Sequence, residues 1–421
     1  MQMPTNRPEI ISCEVCGQTT MPSVLDLGSH PMCDDLVQSN DNRICAEYPI
    51  EILFCPNCKT CHQRFPIPKQ HLFPPTYHYR SRFTADVLMG MENLVHTCTK
   101  KFGPLAQKTV VDIGCNDGSL LSIFQRHDAL TIGVEPTGAC LEAKHKGHVT
   151  YNEYFSETLA RTILEEHGEP DFITFTNVFA HIEDLQGVIR ALRILMANST
   201  VLVIENHYLG AVLNTNQFDT FYHEHPRTYS YSSFVHVAKL LDTQLLDVEF
   251  PSRYGGNIRV YMSNNSYSSQ ASAELLTHPE NNELQFLQMF SVLRNNVERW
   301  QVSQKQFLLG LYNQIGKLRA KAFPGRAAIL IKLLALDEEL IDRVYEKPGS
   351  LKIGYYVPGT RIPICSDDDL FLLPNLSVPL LNLAWHIPNE IQTYLTANGY
   401  TGEVIDILSN KEFSSFPTRT L

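Results

Sequence analysis

The sequence predicts an α/β fold: a doubly wound parallel sheet, preceded by a small metal-stapled module and followed by a second α/β unit. Three observations predict it. From Thr109 onward, short apolar runs alternate with segments of helical spacing, the pattern of βαβ units. Ahead of them stand two C-x-x-C pairs, Cys13-Glu14-Val15-Cys16 and Cys55-Pro56-Asn57-Cys58. Between the two regions a proline-punctuated stretch, Phe65-Pro66-Ile67-Pro68 through Pro74-Pro75, breaks regular structure and suits a boundary. The 421 residues exceed one ordinary core. At about 100–200 residues per domain they suggest two or three domains.

The cysteine pairs come first in the chain. Each makes a turn that aims two sulfurs inward, and four thiolates at roughly 2.3 Å saturate a tetrahedral Zn²⁺ with no position left for water. Such a site is structural. Cys13, Cys16, Cys55 and Cys58 are the expected ligands, because they alone form two equal turns. Cys45, Cys61 and His62 are neighbouring alternatives. Cys33, Cys98, Cys115, Cys140 and Cys365 stand singly and read as small buried apolar side chains.

Bulk properties exclude several classes. The eleven cysteines are not expected to make a secreted disulfide scaffold, since Met1–Pro8 lacks the apolar core of a signal peptide. The thiols are expected to stay reduced, in the cytoplasm. No apolar window reaches the ~18 residues that span a bilayer; the richest, Ala327 to Leu336, is short and interrupted by Lys332. A net charge of -11 without any basic run disfavours a nucleic-acid partner. Neither a membrane nor a nucleic acid is therefore expected as partner, and the oligomeric state is not encoded in these features.

Thr109-Val110-Val111-Asp112-Ile113-Gly114 reads as a buried strand running into a glycine turn, followed by the helical spacing of Leu120, Leu121, Ile123 and Phe124. Ala129–Glu135 is a second strand ending in a carboxylate, and Asp171–Phe175 and Thr200–Ile204 continue the series. Arg259-Val260-Tyr261, after Gly255-Gly256, is a late strand of the same unit. Glu274 to about Arg319 is glycine-poor and helical in spacing, a long connector or lid. Beyond Pro324, further apolar runs and the turn-rich Tyr355–Thr360 predict the third unit.

The run Asp112-Ile113-Gly114-Cys115-Asn116-Asp117-Gly118 stands at a strand-to-helix turn, where such sheets hold a nucleotide cofactor. Glycine there admits close approach of the ligand to the backbone. A dinucleotide calls for G-x-G-x-x-G with pyrophosphate on the helix N-terminus. Here the only glycines are Gly114 and Gly118, and Asn116 and Asp117 between them repel a pyrophosphate but suit a cationic, amino-acid-bearing ligand such as S-adenosylmethionine. Glu135, about 20 residues on, is the expected acceptor of ribose hydroxyls.

At these residues the chain resembles S-adenosylmethionine-dependent sugar C-methyltransferases acting on nucleotide-linked deoxysugars. The resemblance is carried by Asp112–Gly118, Gly133-Val134-Glu135-Pro136, Asn177-Val178-Phe179-Ala180-His181 and, most specifically, Gln217-Phe218-Asp219-Thr220-Phe221-Tyr222-His223-Glu224-His225. Gly255-Gly256-Asn257-Ile258-Arg259, Pro358-Gly359-Thr360 and Ile362-Pro363-Ile364 match as well, so nearly the whole length is covered. The resemblance implies a small N-terminal zinc-binding domain (1–75), a central Rossmann-like class I methyltransferase domain (76–305) and a C-terminal Rossmann-like α/β domain (306–421) without cofactor chemistry of its own. It also implies a nucleotide-linked keto-sugar as substrate. The alternatives are an O- or N-methyltransferase on a related small molecule, or a non-catalytic binding protein that retains the fold.

Methylating carbon requires a carbanion equivalent, and a sugar C–H is removable only beside a ketone, so the site needs a base and a donor to the oxyanion. Tyr222-His223-Glu224-His225 offers these roles: His225 as base, Glu224 to orient an imidazole or bind a hydroxyl, Tyr222 to donate to the oxyanion. His181 is a second acid or base. Tyr77-His78-Tyr79-Arg80-Ser81 resembles the family segment that folds over the site; Tyr77 is favoured there, and Arg80 is a candidate for a diphosphate. Asn177 resembles the residue that closes the methyl-donor pocket. The zinc scaffold is expected to position the Tyr77–Tyr79 segment. The chain departs from the family at Phe323-Pro324-Gly325-Arg326 and Val344–Gly349, where the turn and carboxylates of the C-terminal domain are altered.

Overall fold

A computed structural model describes residues 9–265, 282–409 and 413. In it, packing divides the chain into two units. One gathers the chain up to Pro22 with Leu53–Ala211 and His225–Leu287; the other gathers Ser23–Ile52, Val212–Glu224 and the chain from Gln288. The units therefore interleave in sequence. Ser23–Ile52, expected in the zinc-binding segment, and Val212–Glu224, expected in the central one, pack in the second unit.

The first unit is built on seven strands: β1 (Thr109–Ile113), β2 (Leu130–Val134), β3 (Val149–Tyr151), β4 (Phe172–Thr176), β5 (Val201–His207), β6 (Gln244–Glu249) and β7 (Asn257–Ser263). Their order across the sheet is β6-β7-β5-β4-β1-β2-β3. β1 to β5 are parallel, and β7 pairs antiparallel with β5 and β6. The order reverses between β1 and β4, and a doubly wound sheet opens a crevice at the carboxyl ends of the strands at such a point.

Alternation along the strands divides the core between the two faces. Val201 and Val203 of β5 join Val110 and Phe172 under α1 (Ala85–Phe102) and α2 (Ser119–Gln125), while Leu202 and Ile204 join Val111 and Ile173 under α3 (Glu157–His167), α4 (Leu185–Leu195) and α5 (Tyr231–Leu240). Helix starts follow from capping side chains that satisfy otherwise orphaned N–H groups. Ser156 Oγ accepts from Leu159 N at 3.2 Å, Asp184 Oδ1 from Gly187 N at 2.8 Å, and Ser230 and Ser233 form a reciprocal capping box. α1 buries Val87, Met91, Leu94, Val95 and Cys98 at helical spacing and ends at Gly103, whose φ of 88° a β-carbon would strain.

The second unit holds a parallel sheet of β8 (Leu318–Lys321), β9 (Ile341–Glu346), β10 (Ile364–Ser366), β11 (Leu380–Asn382) and β12 (Val404–Asp406), ordered β10-β9-β8-β11-β12. This is the expected C-terminal α/β domain. Within it the long helix α6 (Phe286–Ile315) sends Trp300 into the core, where its Nε1 donates to Ile407 O at 3.1 Å. The helical stretch expected from Glu274 is thus seen from Phe286; Glu274 itself lies outside the described residues. No helix among the described residues is long and apolar enough to cross a membrane.

At the carboxyl end of β8, Lys321 is 1 % exposed and Asp367 is fully buried; Lys321 Nζ donates to the Asp367 carboxylate oxygens at 2.9 and 2.8 Å. Breaking such a pair strands a buried charge. Lys321→Met is expected to lower unfolding free energy in urea by about 3–5 kcal/mol, and adding Asp367→Leu to recover most of the loss. Equal losses in the single and double variants would contradict the pairing.

Candidate functional site

The glycine turn after β1 is shaped by contacts that only a residue without a side chain permits. Gly114 has φ 74°, and a β-carbon there would lie 2.5 Å from Val178 Cγ2. Gly114 N and Cys115 N both donate to Val134 O, at 2.7 and 3.1 Å, which locks the turn to β2. Asn116 N then donates to Glu135 Oε2 at 3.0 Å, and Thr137 N to Glu135 Oε1 at 2.9 Å. Two backbone donors hold the carboxylate still, and each oxygen keeps acceptor capacity for a further hydroxyl.

A cleft of about 440 Å³ opens at this turn; Gly114, Asn116, Glu135, Asn177, His181, Tyr77 and Tyr79 are among its walls. Asn177 adopts φ 56° just after β4, and its buried Oδ1 has no hydrogen-bond partner among the described residues. A fixed acidic acceptor and a side-chain amide in the walls of one cleft fit the ribose and amino-acid parts of S-adenosylmethionine.

The remaining turn residues do not line the cleft. Asp112 is buried beneath it and accepts from Thr174 Oγ1 at 2.6 Å. Burial pushes its carboxyl up to about 7; the Thr174 bond opposes the shift and the Glu135 charge adds to it. Asp117 accepts from Ser119 N and Oγ at 3.2 and 2.6 Å, at the start of α2. Gly118 lies so close to Ala143 and His148 that a β-carbon would approach each at 2.9 Å. Asp112, Asp117 and Gly118 therefore shape the turn, while Gly114, Asn116, Glu135 and Asn177 face the cavity.

The Tyr77–Ser81 segment is tied down by this same turn. Asn116 Oδ1 accepts from Ser81 N at 3.0 Å and Asn116 Nδ2 donates to Tyr79 O at 3.3 Å. Arg80 donates to Glu142 Oε1 at 2.7 Å and to the carbonyls of Tyr77 and Tyr79 at 2.7 and 2.8 Å. One expectation changes as a result. Arg80 is engaged in holding the loop, so it is not placed to meet a diphosphate.

Three imidazoles gather where β4 and β5 end. His181 stacks on Phe73 at 5.3 Å between ring centroids, His225 lies 4.9 Å from His181, and His207, the last residue of β5, lies 5.5 Å from His225. Burial, reinforced by the adjacent His225, holds the His181 imidazole well below its ordinary range, so it is neutral at pH 7. His207 was not anticipated from sequence; its signal is its position at the end of the apolar run Val201–Ile204.

Tyr222 and Glu224 belong to the second unit. There, Asp219 accepts from Arg326 Nε and Nη2 at 2.9 and 2.5 Å and from Trp385 Nε1 at 2.8 Å, while Gln217 Oε1 accepts from Arg326 Nη1 and Nη2 at 3.2 Å. His223 Nε2 sits 3.0 Å from Tyr48 O. Arg326, part of the turn that departs from the family pattern, is thus the anchor of the Gln217–Glu224 segment.

The four cysteines converge. The sulfurs of Cys13, Cys16, Cys55 and Cys58 all lie within 4.8 Å of one another, with Cys13–Cys58 at 3.4 Å and Cys16–Cys55 at 3.5 Å. A tetrahedron with Zn–S near 2.3 Å has edges of about 3.8 Å, so the donor set fits zinc and closes around it. Cys45 and Cys61 fall outside this group; His62 is a neighbour of it, with Nε2 3.3 Å from Cys13 Sγ.

Three family profiles match in turn: a zinc binding domain over residues 13–73, a methyltransferase domain over 86–247 and a C-methyltransferase C-terminal domain over 252–404. The chain is 25 % identical over 409 residues to the C-methyltransferase NovU of Streptomyces niveus, covering 96 % of this chain and 93 % of that one. Among solved structures, the magnesium protoporphyrin IX methyltransferase of Synechocystis PCC 6803 with bound SAM is 15 % identical with TM-score 0.33, over 43 % of this chain and 80 % of that one. A SAM dependent methyltransferase from Aquifex aeolicus is 13 % identical with TM-score 0.32, over 42 % and 98 %.

Freshly purified protein is expected to carry about one zinc per chain by atomic absorption, and Cys58→Ser far less. A content well below one in the unaltered protein would contradict this ligand set.

Proposed function

We propose that this chain, an S-adenosylmethionine-dependent methyltransferase with zinc-binding and C-methyltransferase C-terminal domains, methylates a carbon beside the ketone of a nucleotide-linked deoxysugar. The observation that carries the reading is the imidazole pair His181–His225, 4.9 Å apart, with His181 in the wall of the cleft that holds Glu135. Removing a proton from carbon needs an unprotonated base at working pH, and the neutral form of an imidazole is such a base. The nucleotide-sugar part of the reading rests on the resemblance carried by Gln217–His225 and Pro358-Gly359-Thr360.

When bound, S-adenosylmethionine supplies the electrophilic methyl group. In this reading Glu135 accepts the ribose hydroxyls and Asn177 closes the donor pocket. His225 takes the proton from the carbon beside the ketone, and neutral His181 beside it is the second acid or base. Tyr222 donates to the oxyanion as charge develops, and Glu224 orients an imidazole or binds a hydroxyl. The apolar wall formed by Phe73, Met91 and Phe175 lowers the local dielectric and strengthens the interactions of Glu135, Asn177 and His181 in the same cleft. A cytoplasmic setting agrees with eleven cysteines of which none forms a disulfide.

The direct test incubates the protein with labelled S-adenosylmethionine and a panel of thymidine- and guanosine-linked 4-keto-sugars. Label carried to a sugar carbon is the expected result; label on oxygen or nitrogen, or none on any sugar, would contradict the reading. His225→Ala is expected to lower kcat on the order of 10²- to 10⁴-fold while melting and cofactor affinity are kept. Full rate in that variant would remove His225 as base. Glu135→Gln is expected to raise the Kd for S-adenosylmethionine by about 10- to 100-fold in calorimetry, the loss of hydrogen bonds to a charged acceptor. An unchanged Kd would remove Glu135 from the cofactor site.

A further inference from the structure

We infer that Arg227, held by Glu14 of the first cysteine pair, is a positioning residue that sets the geometry of His181 against His225. The inference rests on the proposed reading in which these two imidazoles handle the substrate proton. Its basis is a continuous set of contacts within the first unit.

Glu14 lies between two zinc ligands, Cys13 and Cys16, so its backbone is fixed by the metal turn. Its Oε2 meets Arg227 Nε at 2.8 Å and His62 Nδ1 at 3.5 Å. His62 in turn reaches Cys13 Sγ at 3.3 Å through Nε2. The Arg227 guanidinium is 1 % exposed, and its two terminal nitrogens donate to consecutive backbone carbonyls: Nη1 to Ile182 O and Nη2 to Glu183 O, the latter at 2.7 Å. Those carbonyls belong to the two residues directly after His181. The fork thus grips the chain one residue beyond the first imidazole.

The second imidazole is gripped from the other side. Arg227 is two residues after His225, and its backbone is zipped to the strand Cys61–Gln63, with Arg227 opposite His62, Thr228 opposite Cys61, and Gln63 N donating to Pro226 O at 2.9 Å. That strand follows directly on the ligands Cys55 and Cys58. Gln186 Nε2 adds a bond to Glu14 O at 2.7 Å from the start of α4. Both chain segments that carry the imidazoles are therefore anchored to the metal turns, and Arg227 takes part in both anchorages. A planar guanidinium can donate to two adjacent carbonyls while its charge is paired with a carboxylate at its Nε edge; an ammonium on a flexible stem cannot hold that geometry.

An arginine that only stabilised the fold would, when altered, lower the melting temperature and leave the imidazoles of the surviving folded protein as they were. The test uses full-length, zinc-loaded Arg227→Lys and Glu14→Gln, with ring carbon–proton NMR of His181 and His225 assigned by single histidine substitutions. Zinc content and the Kd for S-adenosylmethionine are expected to match the unaltered protein. Both imidazole resonances are expected to shift. With the 4-keto-sugar that accepts label in the panel, kcat is expected to fall by up to the order of 10²-fold at constant KM, as misplacement of reacting groups by about 1 Å does. Imidazole resonances at their original positions in both variants would overturn the inference, as would a loss of activity traced wholly to KM. Should Arg227→Lys fail to fold, Glu14→Gln carries the test, since it removes the charge at unchanged shape on a partly exposed side chain. His225→Ala measured alongside separates the two claims: full rate there defeats the base assignment, whereas shifted resonances in the Arg227 variant still uphold the positioning.

Discussion

A guanidinium cannot be buried without partners, and Arg227 is nearly sealed from solvent. Its partners are the Glu14 carboxylate and the carbonyls of Ile182 and Glu183, which belong to a metal turn and to the loop after β4. The demand of one buried cation therefore joins the zinc module to the end of the sheet where the imidazoles gather. Four sulfurs this close repel one another as thiolates unless a dication lies among them, so the metal supports the carboxylate and the carboxylate supports the arginine. In the proposed reading, a zinc ion held by these sulfurs would take no part in the chemistry and would still underlie the geometry of the two imidazoles.

The second constraint is topological. Where strand order reverses between β1 and β4, the helices connected to these strands leave in opposite directions and the crevice between them stays open. The residues that face it are those the backbone leaves available there: Gly114 after β1, Glu135 after β2, Asn177 and His181 after β4. Asn116 connects this crevice to the segment above it, because one side-chain amide serves both Tyr79 O and Ser81 N. The cavity wall, Glu135 and the Tyr77–Ser81 loop are therefore parts of one hydrogen-bonded turn.

The features legible in the sequence were those with local causes. Apolar runs gave the strands of both sheets, glycine and carboxylate spacing located the turn and Glu135, and the equal C-x-x-C turns identified sulfurs that do converge. Features set by long-range packing were not legible. Asp112, Asp117 and Gly118 look like ligand-facing residues in the linear motif, yet alternation buries the first and the start of α2 engages the second, while Ala143 and His148 crowd the third. Arg80 was a candidate for a diphosphate and Arg326 only part of an altered turn; both are anchors, because their carboxylate partners Glu142 and Asp219 lie far away in sequence. The link from the turn between the first two zinc ligands to Arg227 and Gln186 was not legible either, because both partners lie far away in sequence.

The central claim is that this cleft generates a carbanion equivalent, which neither O- nor N-methylation requires. The most direct measurement is exchange of the substrate's α-proton with D₂O, followed by NMR, when the accepted 4-keto-sugar is incubated with the protein and S-adenosylhomocysteine in place of the methyl donor. The account predicts exchange at the carbon that becomes methylated, catalysed by the unaltered protein and abolished in His225→Ala. Methyl transfer proceeding in full while no enzyme-dependent exchange occurs at that carbon, under conditions where the proton can leave to solvent, would contradict it.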